Sequence, residues 1–315
     1  NADRVFKTAV IYALITGIFC TLLGYIFSGL WMEKVLCMPY GRLALWCLLP
    51  VYFLNACSCS LKGYFQGTGT SMPSVVAQVI KYIFMLTFAP IFAYIFGEYG
   101  DKVSNLLQRK EFVGMYVAGG AGLGAVLASV LSLLFLVFVY LGAGRRQKQK
   151  NKEGLRLSES YPQAFRSLWM TTLPSVGMLT LLKLPDLLGL FFYQRVQEDR
   201  VQSTFSYGIF YGKYEIWMLV AAILLGIGIL SIIGKVISGI RREEYKQSRD
   251  QLQVGFSWAF MWSAFLTAFL MSVGPLLMKG IYGVQERFLT RMFLFGSPTL
   301  IFMIIGGLFL GILWE

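Results

Sequence analysis

Histidine is absent from this 315-residue chain. That removes the commonest metal ligand and the usual general base at neutral pH. Charge is scarce as well: Asp, Glu, Lys and Arg make up 14% of the residues, against about 25% in soluble domains. The five cysteines, Cys20, Cys37, Cys47, Cys57 and Cys59, form no CxxC pair. They read as small, buried apolar residues rather than disulfides or metal ligands. The polar segments hold no paired-Asp motif and no Walker sequence, so the expectation is a protein that is not an enzyme. No metal and no organic cofactor is expected; a coupling ion, H+ or Na+, is the one small partner left open.

What the chain has is apolar length. Hydrophobic residues account for 57% and the mean hydropathy is +0.63. The apolar residues fall in runs of about 20 or more, the length at which a helix crosses the roughly 30 Å hydrocarbon core. A β-barrel needs alternating strands of about 10 residues, and that pattern is missing. The reading is an all-α polytopic membrane protein with eight spans, at about 5–30, 43–61, 73–97, 113–141, 168–193, 205–238, 253–279 and 289–313.

The formal charge of +12 sits between these runs. In a soluble protein it would suggest nucleic acid; here, orientation in the membrane is the simpler cause. The densest stretch, "GRRQKQKNK" (144–152), is placed in the cytoplasm by the positive-inside rule. The N-terminal segment and the loops 62–72, 142–167 and 239–252 then share that side. The 142–167 segment divides the spans four and four. It predicts an N-terminal lobe over 1–141, a basic linker over 142–167 and a C-terminal lobe over 168–315.

A weak internal repeat supports two related halves. At an offset of 248 residues, "LPVYFLNACSCSLKG" (49–63) faces "SPTLIFMIIGGLFLG" (297–311), pairing Pro50 with Pro298 and Gly63 with Gly311. Duplicated halves are common in transporters. The fourth span holds "VAGGAGLGAVLAS" (117–129). No strand precedes it and no βαβ unit surrounds it, so these glycines are expected to let helices approach closely, not to cradle a nucleotide. Gly208 and Gly212, on the side of Glu215, form a similar small-xxx-small pattern. In "LKGYFQGTGTSMPSVVAQVIKY" (61–82), Gly63, Gly67 and Gly69 are expected to give a tight turn its backbone freedom. Pro73 is expected to open the next helix.

Ionisable residues inside spans cost about 2.5–3.5 kcal/mol each on insertion scales and usually face a bundle interior or a wet cavity. Lys81, Lys183, Asp186, Lys213 and Glu215 are therefore the candidate cavity charges. Lys183 and Asp186 are three apart, so they share a helix face and can pair; Pro185 between them removes a backbone hydrogen bond. Lys213 and Glu215 are two apart and point in roughly opposite directions. Three lysines against two acids suit an anionic substrate such as a lipid-linked diphosphate.

Residues 61–82 also carry a family resemblance. The run Gly63, Tyr64, Phe65, Gln66, Gly67, then Pro73, then Gln78, Val79 and Ile80, resembles the cytoplasmic turn of the stage V sporulation protein B-like polysaccharide exporters. These belong to the multidrug/oligosaccharidyl-lipid/polysaccharide (MOP) exporter superfamily, with its lipid II flippases and multidrug (MATE-like) members. Supporting likenesses are "AGGAGLGAVLASVLSLLFLVFVY" (118–140), "LWMTTLPSVG" (168–177) with Asp186 beyond it, and "YGIFYGKYEIW" (207–217). The resemblance implies a two-lobe helical bundle around a cavity that opens alternately to each side. Its eight spans would be helices 3–10 of a fourteen-helix fold, so the chain is expected to be a piece of a longer protein. The implied activity is transport: flipping a lipid-linked oligosaccharide or polysaccharide precursor across the cell membrane during cell-envelope polysaccharide biosynthesis. The partners would be the lipid-linked sugar and membrane lipids. The alternatives are an ion-coupled multidrug antiporter of the same fold and a non-transporting membrane scaffold in cell-envelope assembly. Lys81 stands where these relatives usually carry Glu, and Gly234 where proline is typical.

Overall fold

The computed structural model describes residues 2–38, 40–109, 111–150, 161–196, 200–282 and 287–314. Among these residues the regular structure is helical throughout. In chain order the helices are α1 (Ala2–Gly29), α2 (Gly41–Leu48), α3 (Pro50–Gly67), α4 (Met72–Leu107), α5 (Glu111–Lys150) and α6 (Tyr161–Val196). Then follow α7 (Arg200–Ile209), α8 (Ile216–Arg241), α9 (Tyr245–Tyr282), α10 (Arg287–Gly296) and α11 (Thr299–Trp314). Two π-helical turns, Leu30–Val35 and Phe210–Glu215, continue α1 and join α7 to α8.

Among the described residues, seven helical stretches are long and apolar enough to cross a membrane, and an eighth follows if the bent pair α10–α11 is one span. This agrees with the eight expected spans and with an all-α, multi-pass membrane protein. The surface fits that medium. Leu86 is 79% exposed and Phe138 76%, positions that water would penalise and lipid does not.

The chain divides into two compact units, Asn1–Arg200 and Val201–Glu315. Of the expected linker at 142–167, residues 151–160 lie outside the described residues.

In the first unit α5 packs along α4 and also meets α2 and α3. Between helices in lipid there is no hydrophobic gain, because the tails are as apolar as leucine; close backbone approach drives packing instead. The small residues of α5 supply it. A Cβ on Gly120 would lie 2.4 Å from the Phe92 carbonyl oxygen, and one on Gly124 2.6 Å from the Ala89 backbone. Gly119 and Gly122 turn toward Leu43 and Cys47 of α2. The expected role of this glycine run is thus what the structure shows. Helix α6 rests on α1, where the Tyr12 ring meets Phe165 and Trp169 edge-on and its hydroxyl lies 3.5 Å from Thr172 Oγ1.

In the second unit, one face of α8 (Met218, Ala221, Leu225, Ile229 and Ile233) packs with Phe293 of α10 and Leu300, Ile304 and Leu308 of α11. Helices α10 and α11 meet at 46°. The break is buried: Ser297 is fully buried and its hydroxyl donates to the Phe293 carbonyl at 2.6 Å. In the first unit the α2–α3 junction, also buried, is at Leu49, with Pro50 opening α3. Leu49 and Ser297 are 248 residues apart, the offset of the sequence repeat. Proline cannot donate to the preceding turn, so each helix restarts there.

Two readings need correction. Of the five cysteines only Cys37 is buried; Cys47 and Cys57 are half-buried, Cys20 and Cys59 are exposed, and all five are free thiols. Cys20 and Cys59 lie on helix faces turned outward, while Cys47 faces the α5 glycines; spacing alone does not show which faces are covered. Gly208 and Gly212 have open space where a Cβ would stand, so among the described residues they mediate no close helix contact.

Candidate functional site

The expected turn after α3 is shorter than its glycines suggested. Gly63 and Gly67 lie inside α3 with open space beside them. Gly69 alone takes a left-handed conformation, with φ +82°. Its amide donates to the Gln66 carbonyl at 3.1 Å and the Thr70 amide to the Phe65 carbonyl at 3.0 Å. This is a Schellman closure, which needs a residue without a Cβ penalty at one position only. Pro73 sits in the first turn of α4 as expected. Just before the turn, Tyr64 forms an aromatic cluster with Phe6 of α1 and Tyr140 of α5, each ring tilted or edge-on to the others. Phe65 is buried with Leu61, Ala77 and Leu136. The Gly-Tyr-Phe-Gln-Gly run is therefore anchored from three helices.

Directly above this anchor, α3 and α4 share a polar seam. Asn55 and Lys62 are two helical turns apart on α3, and Gln78, Lys81 and Tyr82 share a face of α4. Lys62 Nζ donates to Gln78 Oε1, and Gln78 Nε2 donates to the Tyr82 hydroxyl at 2.9 Å. Lys81 Nζ donates to Asn55 Oδ1 at 2.7 Å. Ser74 Oγ closes on the Lys62 carbonyl at 3.3 Å. Both lysines are half-buried, and Lys62 reaches Gln78, which lies one helical turn from Lys81 on the same face of α4. Among the described residues neither meets a carboxylate. Neutral amides orient an ammonium group but leave its charge in place.

The second cluster is on α6. Lys183 Nζ lies 3.1 Å from Asp186 Oδ2, and the side chains are 79% and 46% exposed. The one-turn spacing puts them together, with Pro185 between them in a helix that also holds Pro174. This pair carries its own counter-charge. So does Arg42 near the opposite end of α2, 3.4 Å from Glu33 and stacked on the Trp46 ring at 4.8 Å.

Lys213 and Glu215 fall in the π-helical turn Phe210–Glu215. They flank Tyr214, which is buried against Phe293 and beside Gly296. Burying Tyr214 turns its two neighbours to either side of the packed face, and both are half-buried. Such π turns are frequent at functional positions.

The expected charges thus fall into separate groups. The structure joins Lys183 to Asp186. It joins Lys81 to Asn55 and, on the same two helices, Lys62 to Gln78; Asn55, Lys62 and Gln78 are not among the expected site residues. The missed signal was a stripe of polar residues at 55 and 62 facing another at 78, 81 and 82. No group of three or more His, Cys, Asp or Glu side chains able to hold a metal occurs among the described residues.

No protein-family model matches the chain, and no solved structure matches it. Over 130 residues it is 27% identical to Stage V sporulation protein B of Bacillus subtilis (strain 168), covering 41% of this chain. The match covers 22% of that protein, so the chain spans about a fifth of the length of the curated relative it matches. This is a multi-pass, all-α membrane protein, similar over part of its length to Stage V sporulation protein B.

Proposed function

We propose that the chain belongs to a transporter that flips a lipid-linked oligosaccharide or polysaccharide precursor across the cell membrane by alternating access. The observation that carries this reading is the likeness to Stage V sporulation protein B, taken with the resemblance of residues 61–82 to the polysaccharide exporters. The charges support it. Lys81, Lys183, Asp186, Lys213 and Glu215 all lie within candidate spans, where charge is kept for pathways and coupling. In this reading the lobes at 1–141 and 168–315 rock against each other, and the loops 62–72, 142–167 and 239–252 face the cytoplasm. H+ or Na+ coupling would act through Asp186 or Glu215. The excess of cations favours an anionic cargo over the cationic compounds of a drug antiporter.

The test is translocation of a fluorescent lipid-linked oligosaccharide in vesicles holding the full-length protein, read as loss of label accessible to a membrane-impermeant quencher. The expected result is translocation above empty vesicles, reduced in Lys183→Ala and Asp186→Ala. No translocation by the wild type sinks the reading. Wild-type rates in both variants sink the assignment of the α6 pair.

A further inference from the structure

We propose that the α3–α4 seam is a binding site for a phosphate-bearing lipid headgroup, with Lys62 and Lys81 as its two cations. Lys62 is the residue that makes it a site. A single lysine in a span is ordinarily explained by snorkelling to the interface. Two lysines held together are not, because each raises the cost of the other.

The other charged clusters on α2 and α6 contain a carboxylate within 3.4 Å. The seam contains amides and a phenol instead: Asn55, Gln78 and the Tyr82 hydroxyl. These groups fix the direction of both ammonium groups without neutralising either. Each ammonium has three N–H donors, and the amide bonds described take one from each. The missing component is an anion with several acceptor oxygens, and phosphate has that chemistry.

The anion should be part of a lipid. Lys62 is near the end of one candidate span and Lys81 is inside the next. The seam lies on two apolar candidate spans, and its Tyr82 ring is 59% exposed. A ligand reaching both lysines must tolerate that apolar setting, which an acyl or prenyl chain does and a free ion does not. Two sources share this chemistry, the headgroup of a bilayer phospholipid and the diphosphate of a lipid-linked carrier. Only the second rests on the proposed transport function.

The test is native mass spectrometry of the whole detergent-solubilised chain with a polyprenyl diphosphate, the matching polyprenol, or phosphatidylglycerol. The expected result is an adduct with the diphosphate and none with the polyprenol. Lys62→Gln and Lys81→Gln should each weaken it about tenfold. Lys62→Arg and Lys81→Arg should keep it, and Lys102→Gln, an exposed lysine near the far end of α4, should leave it unchanged. Displacement by an equal concentration of phosphatidylglycerol identifies the bilayer source; resistance identifies the carrier. Equal adducts with polyprenol, or unchanged binding in both glutamine variants, overturn the site. If a variant loses its folded profile, the wild type decides: the diphosphate should protect Lys62 and Lys81 from amine acylation, and equal labelling with and without it overturns the site. Translocation that survives loss of this binding removes the seam from transport. Binding without translocation leaves the seam and removes the transport reading.

Discussion

Helices α5 and α6 are both long and apolar, yet the structure uses them in opposite ways. In α5, 39% of the most apolar window is buried; in α6, none is. The difference lies in side-chain size. Helix α5 presents Gly120 and Gly124 to the backbone of α4, and Gly119 and Gly122 to α2. Helix α6 presents leucines, two prolines and a charge pair, and its Gly177 and Gly189 face open space. In a medium that does not reward apolar burial, small residues decide which helix becomes scaffold. A helix without them stays at the margin, where it can carry charge and meet other partners.

The most severe way to break this contrast is Gly124→Leu. Its side chain would start 2.6 Å from the Ala89 backbone, which cannot yield as a side-chain tip could. We expect a cost at or above the roughly 1–3 kcal/mol typical of overpacking, read as aggregation or a lower melting point by fluorescence-detected size exclusion. A wild-type profile would mean that α4 and α5 are not in backbone contact. Gly124→Ala should cost within that range of about 1–3 kcal/mol, since even one methyl group meets the same atoms. Gly177→Ala on α6 should go the other way. With nothing within 4 Å, it should gain up to about 1 kcal/mol of helix propensity, and a clear destabilisation would show that α6 has a close neighbour there. The smallest effect is expected for the double variant Lys183→Ala/Asp186→Ala. An exposed pair contributes about 0–1 kcal/mol, so the melting point should hardly move. A large drop would reveal a packed role for the pair and remove the contrast with α5.

The spans, the helix restarts at Pro50 and Pro298 and the glycine packing of α5 were legible because each depends on local composition. Lys183 and Asp186 were legible as a pair because one helical turn joins them. Four of the five cysteines, all but Cys37, were misread as buried because nothing in their spacing says which helix faces are covered. Gly63 and Gly67 were misread as turn residues because glycine marks conformational freedom without showing whether it is used. Lys62 escaped notice as a site because its partner Gln78 is on another helix, and single-helix periodicity cannot match two stripes.

By itself the sequence determined the class of this protein, its membrane-crossing segments and the helix restarts at Pro50 and Pro298. Those follow from hydropathy, peptide geometry and the missing N–H of proline, all properties of a short stretch of chain. Only the tertiary structure decided which charges share a space. It set Lys81 beside Asn55 and Lys62 beside Gln78, and it left Lys183 with Asp186 on an exposed helix. The physical reason is that electrostatic energy depends on distances of a few ångströms between groups far apart in sequence, and those distances exist only once α3 and α4 have packed.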